Sequence, residues 1–112
     1  MNVWTVVPLS RPGQLPWVIE NWARQTAKSS LAIVETGEAV GVCHQAGISP
    51  DLLLSAAGRP GEVRNAALEA LVGAYVSFQD DDDWYGPDYL AEHVELAARG
   101  RIVGKRVHWV DF

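Results

Sequence analysis

Tyr75-Val76-Ser77-Phe78-Gln79-Asp80-Asp81-Asp82-Asp83-Trp84-Tyr85-Gly86-Pro87-Asp88-Tyr89-Leu90 is the stretch on which the reading of this chain turns. Tyr75 to Phe78 predicts a short buried strand. Pro87 stands where a first-turn proline belongs, and Asp88, Leu90, His93, Val94 and Ala97 share one helical face, with Gly100 as the stop. The unit is therefore a strand, an acidic loop and a helix. Four adjacent carboxylates repel one another and need water or a cation around them. Here they are held at the end of a buried strand.

The same alternation runs outward from this unit. Val3 to Val7 reads as a buried strand stopped by Pro8, and the turn Ser10-Arg11-Pro12-Gly13 follows it. Leu15, Val18, Ile19 and Trp22 recur at helical spacing up to about Lys28. Leu31 to Val34 is a second buried strand, ended by Glu35-Thr36-Gly37. A short helix over 38–46 and a strand near 52–56 come next, although Ser49-Pro50-Asp51 also suits a helix start. Val63, Ala66, Ala67, Ala70 and Leu71 mark a helix from Glu62 to Gly73, and Ile102 to Val110 reads as a final strand.

Composition agrees with one soluble α/β domain. The 112 residues are 48% hydrophobic and 21% charged, the balance of an ordinary globular chain. The longest uncharged stretch, Ala39 to Pro50, is too short to span a bilayer. Net charge is −5, and −1 without the four aspartates, so acidity is local and nucleic acid is not an expected partner. One cysteine, Cys43, excludes an internal disulfide, and no Cys/His set has zinc spacing. Met1-Asn2-Val3-Trp4 has no basic leader, so a cytoplasmic location is expected.

Strands alternating with helices predict a mostly parallel sheet covered on both faces, a three-layer sandwich. Ligands of such sheets sit beyond the carboxyl ends of the strands. Three stretches lie there: Pro8-Leu9-Ser10-Arg11, Glu35-Thr36-Gly37 and the run Asp80 to Asp83. Carboxylates without His or Cys are hard oxygen donors suited to Mg²⁺ or Mn²⁺, with a plain solvated loop as the alternative. Arg64, after Gly58-Arg59-Pro60-Gly61, suits a phosphate or a surface ion pair equally well. Glu35 suits hydrogen bonds from a base or ribose, or simple exposure to water. Arg11 suits a phosphate or plain solvation. Cys43, His44 and His93 have no nucleophile or base partner in the sequence and read as structural.

Taken together, these residues resemble the nucleotide-binding half of an inverting, family 2 glycosyltransferase of the GT-A fold. Val6-Val7-Pro8-Leu9-Ser10-Arg11 stands where the family has a Pro-Thr-x-Asn-Arg type loop, and Val34-Glu35-Thr36-Gly37 is similar to its Val-Asp-Asp/Asn-Gly. Val63-Arg64-Asn65-Ala66-Ala67 resembles the Ala-Arg-Asn-x-Gly helix, and Phe78 to Pro87 the Phe-Leu-Asp-x-Asp-Asp block with its following proline. Glu35 replaces an Asp, Leu9 a Thr and Gln79 an apolar residue.

The resemblance implies a GT-A, Rossmann-like fold and a UDP-sugar or related nucleoside-diphosphate sugar as ligand. It implies that Asp82 and Asp80 ligate Mn²⁺ or Mg²⁺, with Asp80 also near the ribose or sugar. Pro8, Leu9, Ser10 and Glu35 would meet the nucleotide base, Arg64 would lie against the base or its phosphates, and Arg11 and Asp81 belong to the same nucleotide-sugar-binding group. Residues 1–112 are then expected to be one nucleotide-sugar-binding domain without the family's acceptor-binding half, which also carries the general base. Two functions follow: a metal-dependent transferase, or a donor-binding module without transfer. A flavodoxin-like domain of other function is a third reading on fold analogy. The apolar edge Val103 to Phe112 suits pairing across a two-fold as a homodimer.

Overall fold

A computed structural model describes residues 2–56 and 60–98. Four strands, β1 (Val3–Leu9), β2 (Ser30–Glu35), β3 (Leu52–Ser55) and β4 (Tyr75–Phe78), form a wholly parallel sheet in the order β3-β2-β1-β4. Among the described residues, four α-helices connect and flank them: α1 (Leu15–Arg24), α2 (Val42–Ala46), α3 (Pro60–Ala70) and α4 (Tyr89–Ala98). The expected α/β architecture, with helices on both faces of a parallel sheet, is what the chain forms. The final strand expected over 102–110, and the homodimer edge with it, lies outside the described residues.

Alternation along β1 builds the two layers. Val7 and Leu9 face one way and pack with Leu31 and Ile33 of β2, Leu15 and Val18 of α1, and Cys43 of α2. Val6 faces the other way, against Ala32, Val34 and Val76 and against Val63, Ala67 and Leu71 of the α3 side. Each face of a central strand thus has a helical cover, which is why β1 and β2 read as continuous apolar runs.

Four boundaries differ from the sequence reading. β1 does not stop at Pro8 but runs on to Leu9. Val6 accepts its last bond from the β4 side through the Gln79 N–H, while Leu9 accepts from Thr36 on the β2 side. Pro8, two residues beyond Val6, turns its missing N–H toward a neighbour that has already left the ladder. The proline therefore costs no bond.

α1 ends at Arg24 rather than near Lys28, because the chain becomes extended at Gln25. The Gln25 side chain is engaged instead: its amide donates to the Gly86 carbonyl at 2.9 Å and its oxygen accepts the Leu90 N–H at 3.0 Å. The next residue, Thr26, donates its N–H to Pro87 at 2.8 Å. The single helix expected over 38–46 is split into a 3₁₀ turn at Gly37–Ala39 and α2, with Gly41 between them at φ +92°. That left-handed value suits glycine. The helix expected from Glu62 to Gly73 is α3, which begins two residues earlier and ends at Ala70.

Gln25 sits in the interior and leaves two main-chain groups of another segment dependent on it. Gln25→Leu is expected to lower the unfolding free energy by about 2–3 kcal/mol, since both groups lose their partner in a buried setting. Thr26→Ala, which removes only an exposed bond to Asp88, should cost under about 1 kcal/mol. Urea unfolding of the two variants checks this, and equal losses would contradict it.

Candidate metal and nucleotide site

β4 and β1 part company at their carboxyl ends. Beyond Phe78 the chain leaves the ladder, and a cleft of about 400 Å³ opens between Pro8 and Ser10 on one side and Asp80, Asp81 and Asp82 on the other. Thr36, Val63 and Arg64 complete its lining. In the strand order, β1 has β2 on one side and β4 on the other. The cleft lies where connections diverge, the usual ligand position in an open α/β sheet. Its volume is within the range of small-molecule pockets.

The four aspartates are not equivalent. Asp81 turns inward, is buried, and accepts the Ser10 main-chain N–H at 3.2 Å. Asp80, Asp82 and Asp83 are exposed, and each offers a carboxylate oxygen within 4.8 Å of the others. The backbone of this turn is fixed from α1: the Asp83 carbonyl accepts from Trp17 Nε1 at 3.1 Å and from Asn21 Nδ2 at 2.9 Å. The Asp80 N–H donates to the Tyr85 hydroxyl at 2.7 Å. A run that would splay apart under its own repulsion is thereby held as a compact group.

Electrostatics follow from that crowding. Desolvation by the surrounding chain, then a hydrogen bond and charge repulsion from Asp83, push the Asp80 carboxyl above its ordinary range, against the pull of Arg64. Burial raises the Tyr85 hydroxyl well above the usual tyrosine value. Arg11 reaches in from the β1 loop, 2.7 Å from an Asp82 oxygen and 3.7 Å from Asp81. The Asp82 hydrogen bond, together with the charges of Asp81 and Asp82, raises its pKa further. The Arg64 guanidinium lies 5.9 Å over the Phe78 ring, on the α3 side of the cleft.

The structure brings together most of the residues singled out from the sequence: Pro8, Ser10, Arg64, Asp80, Asp81 and Asp82 line one cleft, and Arg11 meets it through its ion pairs. Leu9 and Glu35 are not brought there. Leu9 is 0% exposed and belongs to the apolar layer under α1. Glu35, 2% exposed, is neither water-facing nor turned toward a ligand. Its two oxygens accept the Gly41 N–H at 3.0 Å and the Cys43 N–H at 2.9 Å, so it caps the start of α2.

Thr36 and Val63 line the cleft and Asp83 joins the carboxylate group; Thr36 and Asp83 lie in strand-end stretches marked from the sequence without a role of their own, and Val63 reads there only as part of a helix face. Their proximity in the chain to Glu35, Arg64 and Asp82 was the available signal. Trp84 stands 61% exposed beside the group. Its ring stacks on the Arg24 guanidinium at 5.2 Å, and Trp17 covers that guanidinium at 5.6 Å.

Residues 54–111, just over half of the chain, match the family model Glycosyl transferase family 2. The chain is a member of glycosyltransferase family 2. The matched stretch contains α3 with Arg64, β4, the acidic run and α4, which is the β4 side of the cleft. No curated protein matches this family 2 chain. Among the described residues, no helix is long and apolar enough to cross a membrane. Members of this family commonly use a divalent metal, and the acidic group at the β4 end offers the donors such an ion takes.

Glu35 yields two expected outcomes. Burial alone would raise its carboxyl; the Cys43 and Gly41 N–H groups and the Cys43 thiol outweigh it and hold the pKa below the ordinary 4.5. A carboxyl lowered on folding stabilises the fold above its unfolded pKa, and that contribution disappears as pH falls through the folded value. Glu35→Gln should therefore unfold about 1–3 kcal/mol more easily at neutral pH and lose less stability than wild type on acidification from about pH 5. Parallel urea titrations read both effects. The Cys43 thiol, pushed up to about 12 by burial and by Glu35, should resist iodoacetamide at about pH 8 until the chain is unfolded. Labelling of the folded protein would contradict this.

Proposed function

We propose that the cleft binds a nucleoside-diphosphate sugar with Mn²⁺ or Mg²⁺, UDP-sugars being favoured, and that the chain serves transfer of the sugar to an acceptor. The observation that carries the reading is the group of three outward carboxylates within 4.8 Å of one another at the mouth of a cleft lined by Arg64. Hard oxygen donors in that number fit a divalent ion that keeps further positions for phosphate oxygens. Asp80, Asp82 and Asp83 would hold the ion. When bound, a divalent cation supplies Lewis-acid stabilisation of the charge on a departing diphosphate.

The chain's own residues do the rest. Arg64 offers a second positive charge to the phosphates from α3. Asp81 ties the Ser10 amide to the acidic turn, so the two rims of the cleft keep their spacing while a ligand enters. Pro8, Ser10 and Thr36 form the rim that would meet the nucleoside. The backbone bonds from Asn21, Trp17 and Tyr85 preorganise the carboxylates before a cation arrives, so little reorganisation is required on binding.

Calorimetric titration of UDP and of GDP, with and without Mn²⁺, on wild type and Asp82→Ala tests the proposal. UDP should bind in a Mn²⁺-dependent manner, and the variant should lose roughly ten-fold or more in affinity. Binding that ignores the metal or the substitution would sink it. Hydrolysis of a bound UDP-sugar would then favour a transferase, whereas binding without turnover would favour a donor-binding module.

A further inference from the structure

Arg11 occupies the place where a cation would act. Its guanidinium is 2.7 Å from Asp82 Oδ2, within a carboxylate group that also includes Asp80 and Asp83. Asp81, its second partner at 3.7 Å, is already committed to the Ser10 amide. Asp82 is thus the carboxylate whose main counter-charge is a side chain rather than a backbone donor.

A guanidinium at contact distance from Asp82 Oδ2 opposes a divalent ion approaching the same oxygen, because both are cationic. We propose that Arg11 is the counter-ion a divalent cation must displace from Asp82, and that the released guanidinium then pairs with the diphosphate. Metal alone is consequently held weakly, and metal and nucleotide enter as a unit. This rests on the donor-site reading above and goes beyond it by assigning Arg11 an exchange between Asp82 and the diphosphate.

The local structure allows the exchange without rebuilding the loop. The Arg11 carbonyl is anchored by the Gln14 N–H at 3.1 Å, while its side chain is 57% exposed and that of Asp82 48% exposed. The side chain swings and the backbone stays. A planar guanidinium pairs with a phosphate as readily as with a carboxylate, often through two parallel bonds. Arg64 approaches from α3 and Arg11 from the β1 loop, so a diphosphate in the cleft would meet both.

The test compares Arg11→Gln and Arg11→Lys with wild type, using Mn²⁺ alone and then UDP at saturating Mn²⁺, with circular dichroism to verify folding. The two affinities should move in opposite directions. Arg11→Gln should bind Mn²⁺ alone about five-fold more tightly, the worth of an exposed ion pair that no longer has to be broken, and bind UDP about ten-fold more weakly. Arg11→Lys should restore the wild-type Mn²⁺ affinity and only part of the UDP affinity, since it keeps the charge but not the fork.

Equal Mn²⁺ affinities in wild type and Arg11→Gln, or no Mn²⁺ binding by either, would overturn the displacement. A parallel loss of both affinities would overturn it as well, because a merely structural role moves them together. Should wild type bind neither UDP nor GDP, the donor reading falls and the diphosphate half of the exchange with it. Tighter Mn²⁺ binding by Arg11→Gln would still uphold the displacement at Asp82.

Discussion

The grip of α1 and of Gln25, the residue that ends it, on the main chain of residues 83–90 is the constraint on which the site depends. Asn21 donates to the Asp83 carbonyl and accepts the Tyr85 N–H; Gln25 donates to Gly86 and accepts from Leu90; Arg24 also donates to the Asn21 oxygen. Asn21 and Gln25 are both buried, where hydrogen bonds to backbone groups are worth most and their loss costs most. The loop groups in these hydrogen bonds are main-chain carbonyls and amides. The loop therefore keeps its path almost regardless of which residues it displays, while positions 21 and 25 tolerate little. The shape of this acidic segment is stored some sixty residues earlier in the chain.

Local charge balance follows from that path. Four consecutive acids are a liability when treated as a run, yet the turn assigns them separate duties. Asp81 becomes a strut to Ser10, Asp82 an ion-pair partner, and Asp80 a carboxyl that burial and the nearby Asp83 push toward its protonated form. Only one of the four is buried, and it is the one with a backbone donor. That is the expected allocation, because an unpartnered charge in the interior would cost far more than one at the rim.

Much of this was legible in the residues themselves. Tyr75 to Phe78 reads as a strand and is one, and Leu31 to Val34 forms the heart of β2. Local apolar runs report burial on both faces, and β1 and β2 obey that rule. The misread end of α1 and the misread role of Glu35 depend on partners beyond the adjacent residues. Nothing near Gln25 announces that it serves Gly86 and Leu90, so helical spacing overran the true end of α1. Glu35 reads as a strand-end acid, and only the backbone of α2 reveals an inward cap. Identical neighbours are the extreme case: four aspartates in a row carry no sign of which one turns in, since Ser10, Tyr85 and Asn21 decide it.

Pro8 has a consequence for how the cleft persists. Two parallel strands side by side tend to zip as far as their donors and acceptors allow, and a strand end with a full set of amides would draw the chain after Phe78 against it. Lacking that amide, β1 offers β4 no donor beyond the Val6–Phe78 pair. The crevice cannot heal itself by extending the sheet. Its openness is written into one imino acid, and the protein need not melt any secondary structure to admit a guest.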